Sequence, residues 1–160
     1  MPPNQPFETD LRKRFARSLG GSMATLGGMK QSALLEFESS DFTVAPGEDE
    51  QTNPGVYGKA LAQWLAEQLR ARGLPAGDII AEDFGWCVPI ESKPHSLYVA
   101  CASTGEKPSH WRVFAFAEGG VTARLFGKDK SAESLSFLFA AVKQSLERAP
   151  IVHGLREEAA

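Results

Sequence analysis

The chemistry of this chain is most concentrated in the string Glu82-Asp83-Phe84-Gly85-Trp86-Cys87-Val88-Pro89, where two adjacent carboxylates precede a glycine flanked by aromatics. Trp86 offers a broad flat surface with one N–H donor, so a binding site at this mouth is one reading. The plainer reading gives Phe84 and Trp86 to the core and leaves Glu82 and Asp83 to finish a loop. Gly85 stands where that loop becomes a strand, and predicts a bulge or a close backbone approach.

Other reactive groups are sparse. If the Ser92 to Ser96 turn is centred on Pro94, residues equidistant from it face each other, which sets Cys87 opposite Cys101. Such a pair bonds only under oxidising conditions and suitable geometry, and two buried thiols is the ordinary outcome. His95, His110 and His153 are widely spaced and there is no CxxC, so no zinc set forms. The chain has no G-x-S-x-G elbow, and the glycine pairs Gly20-Gly21 and Gly27-Gly28 lack the Lys-Ser/Thr of a phosphate loop. Glu36, Glu38, Asp83 and Glu91 are too generic to single out a catalytic carboxylate pair. No catalytic residue, metal ligand or cofactor is therefore assigned.

The elements that must position these groups follow from periodicity. Residues 1–31 combine prolines, glycines and a basic cluster (Arg12, Lys13, Arg14, Arg17), and read as a mobile arm with a short helix over 10–18 that sets Leu11 and Phe15 on one side. From Ala33 to Glu38, Leu35 and Phe37 alternate with Leu34, Glu36 and Glu38 as in a strand with one wet side. A loop follows, with Pro46-Gly47 as a turn signal and Glu48-Asp49-Glu50 at its tip. Six acids and no Lys or Arg lie between Gln31 and Asn53, a balance that suits a cationic partner or simply a solvated loop.

Asn53 as N-cap and Pro54 at the first helical position predict a helix of about five turns, with Tyr57, Leu61, Trp64, Leu65 and Leu69 on its apolar stripe and Gly73 as its stop. Strands are predicted at 86–91, 97–102, 111–117 and 121–126, with a short one at Ile79-Ile80. Their short links make an antiparallel meander. A second helix opens at Ser131, carries Leu135, Leu138, Phe139, Val142 and Leu146, and stops at Pro150. Ile151-Val152 read as a terminal edge strand.

Each helix has one apolar stripe and can cover one sheet face. The expected fold is therefore α+β: an antiparallel sheet of about five strands with two amphipathic helices on one face, in a single domain over 32–153 followed by a tail at 154–160. Both sheet faces carry apolar residues. The expected register puts Trp86, Val88 and Ile90 with Tyr98, Ala100 and Ala102, and Arg112, Phe114 and Phe116 opposite Trp111, Val113 and Ala115.

Composition bounds the function classes. The 160 residues carry 17 Lys+Arg against 20 Asp+Glu, a net charge of -3, which leaves no basic field for nucleic acid. No apolar run is long enough for a membrane helix and no secretory signal core opens the chain, so a cytoplasmic protein is expected.

The Glu82 to Pro89 string, together with the Tyr57 to Leu69 helix, resembles small uncharacterised bacterial proteins with an acidic pair followed by an aromatic-Gly-Trp segment; the resemblance spans roughly 34–150 and implies no activity.

Two functional expectations result. One is a non-catalytic interaction module, docking a protein partner or its own copy through the second sheet face, in the manner of secretion chaperones or immunity proteins. The other is a ligand-binding or enzymatic domain with a pocket lined by Trp64, Trp86, Tyr98 and Trp111, and Glu82 or Asp83 at its rim.

Overall fold

The structure, a computed structural model, describes residues 29–91, 96–105, 109–118 and 131–159. These form one antiparallel sheet with two helices against it. In chain order the elements are β1 (Met29–Gln31), β2 (Leu34–Glu38), a 3-10 turn (Glu48–Glu50), α1 (Lys59–Ala71), β3 (Ile80–Glu82), β4 (Gly85–Glu91), β5 (Ser96–Ser103), β6 (His110–Glu118), α2 (Ser131–Arg148) and β7 (His153–Glu158). The strand order is β3-β4-β5-β6-β2-β7, with β1 also pairing β6. Ser32 donates its N–H to the Ala115 carbonyl at 2.8 Å, and its Oγ accepts the Ala115 N–H at 2.9 Å, so β1 and β2 run as one interrupted line along β6.

The α+β architecture is the expected one, with seven strand segments instead of about five. Met29 to Gln31, assigned to the arm from sequence, form β1. The segment 154–160, assigned to the tail, largely forms β7, whose alternation is masked by its charged residues. The edge strand expected at Ile151-Val152 lies two residues later. The helix over 10–18 and the strand over 121–126 fall outside the described residues.

The first helix starts later than expected, at Lys59. Asn53-Pro54-Gly55-Val56 is instead a tight turn: Val56 N–H donates to the Asn53 carbonyl at 3.0 Å and Gly55 has φ 81°, the arrangement that Pro-Gly favours in a type II turn. Tyr57 then exchanges hydrogen bonds with β5, its N–H donating to Ser103 Oγ and its carbonyl accepting the Ser103 N–H. A backbone committed to the sheet cannot also open a helix. At the other end the expectation holds: Gly73 has φ 83°, its N–H donates to the Arg70 carbonyl, and Leu74 N–H donates to the Leu69 carbonyl, which closes the last turn.

The β4–β5 register differs by one residue from that expected. Trp86 pairs with Cys101 and Cys87 with Ala100, because the hairpin is centred one half-residue before Pro94. With a side-chain period of two, this slip reverses every face relation across the hairpin. Trp86, Val88 and Ile90 share the helix side with Leu97, Val99 and Cys101, and the two cysteines lie on opposite faces, with no disulfide between them.

The main core lies between this face and the helices. Leu61, Leu65 and Leu69 of α1, and Leu135, Leu138, Val142 and Leu146 of α2, pack on Leu35, Val88, Val99, Trp111 and Val113. Among the described residues no helix is long and apolar enough to cross a membrane.

Candidate functional site

The residues singled out from sequence do not converge. Trp86 and Trp111 are buried on the helix side, where Trp111 Nε1 donates to the Ser39 carbonyl at 3.0 Å. The Lys59 ammonium sits over the Trp86 ring, 5.2 Å from its centroid. Among the described residues the Trp86 Nε1 has no hydrogen-bond partner. Trp64 packs edge-on against Phe42, also on the helix side. Tyr98 is on the opposite sheet face, stacked on Phe116 with centroids 5.1 Å apart. Glu82 ends β3 opposite Gly85, and Asp83 is exposed in the turn, its carbonyl accepting the Asn53 N–H at 2.8 Å. The four rings of the expected pocket are thus divided between two faces, a direct result of the register.

Gly85 makes the close approach expected of it. It has φ 151°, and a Cβ there would collide with the Cys101 carbonyl oxygen and stand 3.1 Å from the Ala102 Cβ. Gly58, with φ 154°, meets the same carbonyl, its own Cβ position lying 2.7 Å from that oxygen. The two glycines clamp one peptide of β5 and join the start of α1 to the start of β4.

The second sheet face is apolar at its centre and charged at one end. Phe84, Cys87, Ala100, Phe114 and Phe116 form a cluster with Leu34 and Tyr98 at its margin. None of the five central residues is more than 5% exposed. Toward β7 the face becomes polar. Glu36 accepts from Arg112 Nε at 2.9 Å and from Arg156 Nη2 at 2.7 Å, so one carboxylate ties β6, β2 and β7 together. Burial pushes the Glu36 carboxyl up, but the hydrogen bonds and charges of the two guanidiniums outweigh it and hold it below its ordinary value. Beside it, a cleft of about 200 Å³ is lined by Glu38, Thr104, His110 and Arg156, with His110 Nδ1 3.5 Å from Glu38 Oε1.

The acidic stretch before α1 is largely occupied with the fold. Glu36 is paired as described, Glu48 is buried and accepts backbone N–H groups, and Asp49 Oδ2 accepts the Gly55 N–H at 2.9 Å. The solvated-loop expectation is corrected at Glu48, whose carboxylate meets the orphan N–H groups of the helix start, and at Asp49, which meets an N–H of the Pro-Gly turn.

An open apolar surface lies elsewhere. A groove of about 390 Å³ runs between the end of α1, the adjoining ends of β4 and β5, and the first turns of α2. Leu74, Pro75, Ile90, Leu97 and Leu138 line it, with Phe137 on its α2 side. Phe137 is 68% exposed, the largest exposure of any large hydrophobic residue described. The two charged residues of the lining, Glu91 and Glu133, are both acidic. Sequence reading missed this site, yet a signal was present: Phe137 falls between Leu135 and Leu138, off the apolar stripe of an otherwise regular amphipathic helix.

Among the described residues no three His, Cys, Asp or Glu side chains gather as a metal site. Compared with protein-family models, curated proteins and solved structures, the chain finds no match.

Proposed function

We propose that this protein is a non-catalytic interaction module of the cytoplasm that holds an apolar, basic segment of a protein partner in the groove beside Phe137. The observation that carries this reading is the exposure of that ring at the edge of a preformed apolar groove. An isolated exposed phenylalanine is ordinary, whereas one that extends a lined concavity matches the central anchor of a docking site. Glu91 and Glu133 select the charge of the occupant: a lysine or arginine flanking its apolar side chains would pair with them, while an acidic segment would be repelled.

The sequence expectation placed docking on the second sheet face. That face is apolar, but its central side chains are already out of solvent, so the groove is the better-supported entrance.

A photo-crosslinking phenylalanine analogue at position 137 of the full chain, expressed in its own cells, tests the reading. The expected result is one partner protein trapped in a stable ratio, with trapping lost when Glu91 and Glu133 are both changed to Lys. Cross-links only to further copies of this chain, or trapping indifferent to the charge reversal, would overturn it.

A further inference from the structure

β7 is the last strand of the sheet, so among the described residues one of its two edges has no neighbour. An open edge is a template for another strand, and the ladder behind it decides which groups it offers. Ser39 donates its N–H to the Ser109 carbonyl at 2.9 Å, which turns the odd-numbered residues of β2 toward β6 and the even-numbered Leu34 and Glu36 toward β7. Their partners, Glu158 and Arg156, therefore use their backbone groups inside the sheet. Glu157, between them, points its N–H and C=O outward. Its side chain stands on the helix side, where Lys143 Nζ donates to Glu157 Oε2 at 2.7 Å, while Arg156 and Glu158 stand on the second face with Glu36 and Leu34.

This edge is complementary to itself about one position. A second copy laid antiparallel, with a twofold axis at Glu157, exchanges two N–H···O=C bonds between the two Glu157 residues. The same register sets Arg156 of each copy directly opposite Glu158 of the other, on one face and at the spacing where opposite charges stabilise a strand pair. An axis at Arg156 would instead press two guanidiniums together, at a position whose backbone groups face away. The like charges that do meet at the Glu157 axis are offset, because each carboxylate already holds a Lys143 ammonium from its own α2.

We propose that two copies of this chain join their sheets through antiparallel β7 strands, on a twofold axis at Glu157, with reciprocal Arg156–Glu158 pairs across the junction. The paired strands are short, so the association belongs to the weak, concentration-dependent class. It does not rest on the partner groove, which lies beside β4 and β5, across the sheet from β7.

Sedimentation velocity of the full chain over a concentration series reads the association, and a cysteine at the axis reads the register. A monomer–dimer equilibrium is expected, weakened about ten-fold by Glu158→Arg because the twofold axis doubles each charge reversal. The fold of that variant, read by circular dichroism, should be unchanged. Glu157→Cys is expected to form an intermolecular disulfide under mild oxidation, since residues paired on the axis have Cα atoms about 5.5 Å apart. His153→Cys should not, because the same axis holds its two copies more than about 20 Å apart. A chain monomeric at every concentration, a dimer indifferent to Glu158→Arg, or disulfide formation no readier at position 157 than at 153 would overturn the proposal.

Discussion

Glu48 caps a helix that begins eleven residues after it. Its Oε1 accepts the N–H groups of Gly58 and Lys59, each at 2.9 Å, while Oε2 accepts the Ala45 N–H at 3.1 Å. A carboxylate at a helix N-terminus neutralises both orphan donors and the positive end of the dipole, and this one also pins the preceding loop. Glu48→Ala is expected to lower stability by about 2 kcal/mol or more, because it leaves buried N–H groups unmet. Glu48→Gln, which keeps one accepting oxygen, should lose less. Denaturant unfolding of both variants checks the order.

The clamp on the Cys101 peptide predicts that alanine is tolerated at neither of its glycines. Gly85→Ala and Gly58→Ala each combine a positive φ with a collision against backbone, and should cost at least about 2 kcal/mol. Gly73→Ala supplies the control. Its φ is 83° but its Cβ would meet nothing within 4 Å, so it should cost only about 1 kcal/mol. Thermal melts of the three variants separate conformational strain from steric conflict.

Glu36 should make stability depend on acid. Its carboxyl is held below the ordinary value of 4.5 in the folded protein by Arg112 and Arg156. The unfolded chain therefore binds its proton first as pH falls. The stabilisation is complete above pH 4.5 and is lost as pH drops through the lower folded value. In Glu36→Gln this part of the acid dependence should vanish, leaving a flatter profile below pH 4.5 in urea unfolding measured across pH.

Trp86 and Phe137 should behave oppositely. Trp86 is core, so Trp86→Ala is expected to cost about 3 to 5 kcal/mol, less whatever is regained by removing an indole N–H that lacks a partner. Phe137→Ser removes an exposed ring and should stay within about 0.5 kcal/mol of the unmodified chain. Equilibrium unfolding of the two variants tests the assignment of one ring to the core and the other to the surface.

The architecture was legible because its signals are periodic. The stripes of Leu61, Leu65 and Leu69, and of Leu135, Leu138 and Val142, predicted both helices and their shared side, and Gly73 marked the end of the first. What failed was local and competitive. Asn53-Pro54 reads equally as a helix start or as half of a Pro-Gly turn, and the choice was made by Ser103, distant in sequence. The hairpin register rested on a turn centre that composition cannot locate to half a residue, and that half-residue moved Tyr98 to the face opposite Trp86. Glu48 looked like part of a solvated run because its cap partners, Gly58 and Lys59, become neighbours only after the loop closes. Phe137 was visible only as a departure from the stripe.

The central claim is that Phe137 anchors a partner in the groove without supporting the fold. The most direct measurement is the affinity of the crosslinked partner's trapped segment, made as a peptide, for the full chain and for Phe137→Ser, alongside the melting temperature of each. An affinity loss of roughly 30-fold or more is expected, the scale of an anchor worth about 2 kcal/mol, with the melting temperature unchanged. Equal affinity of the two proteins for that peptide would contradict it.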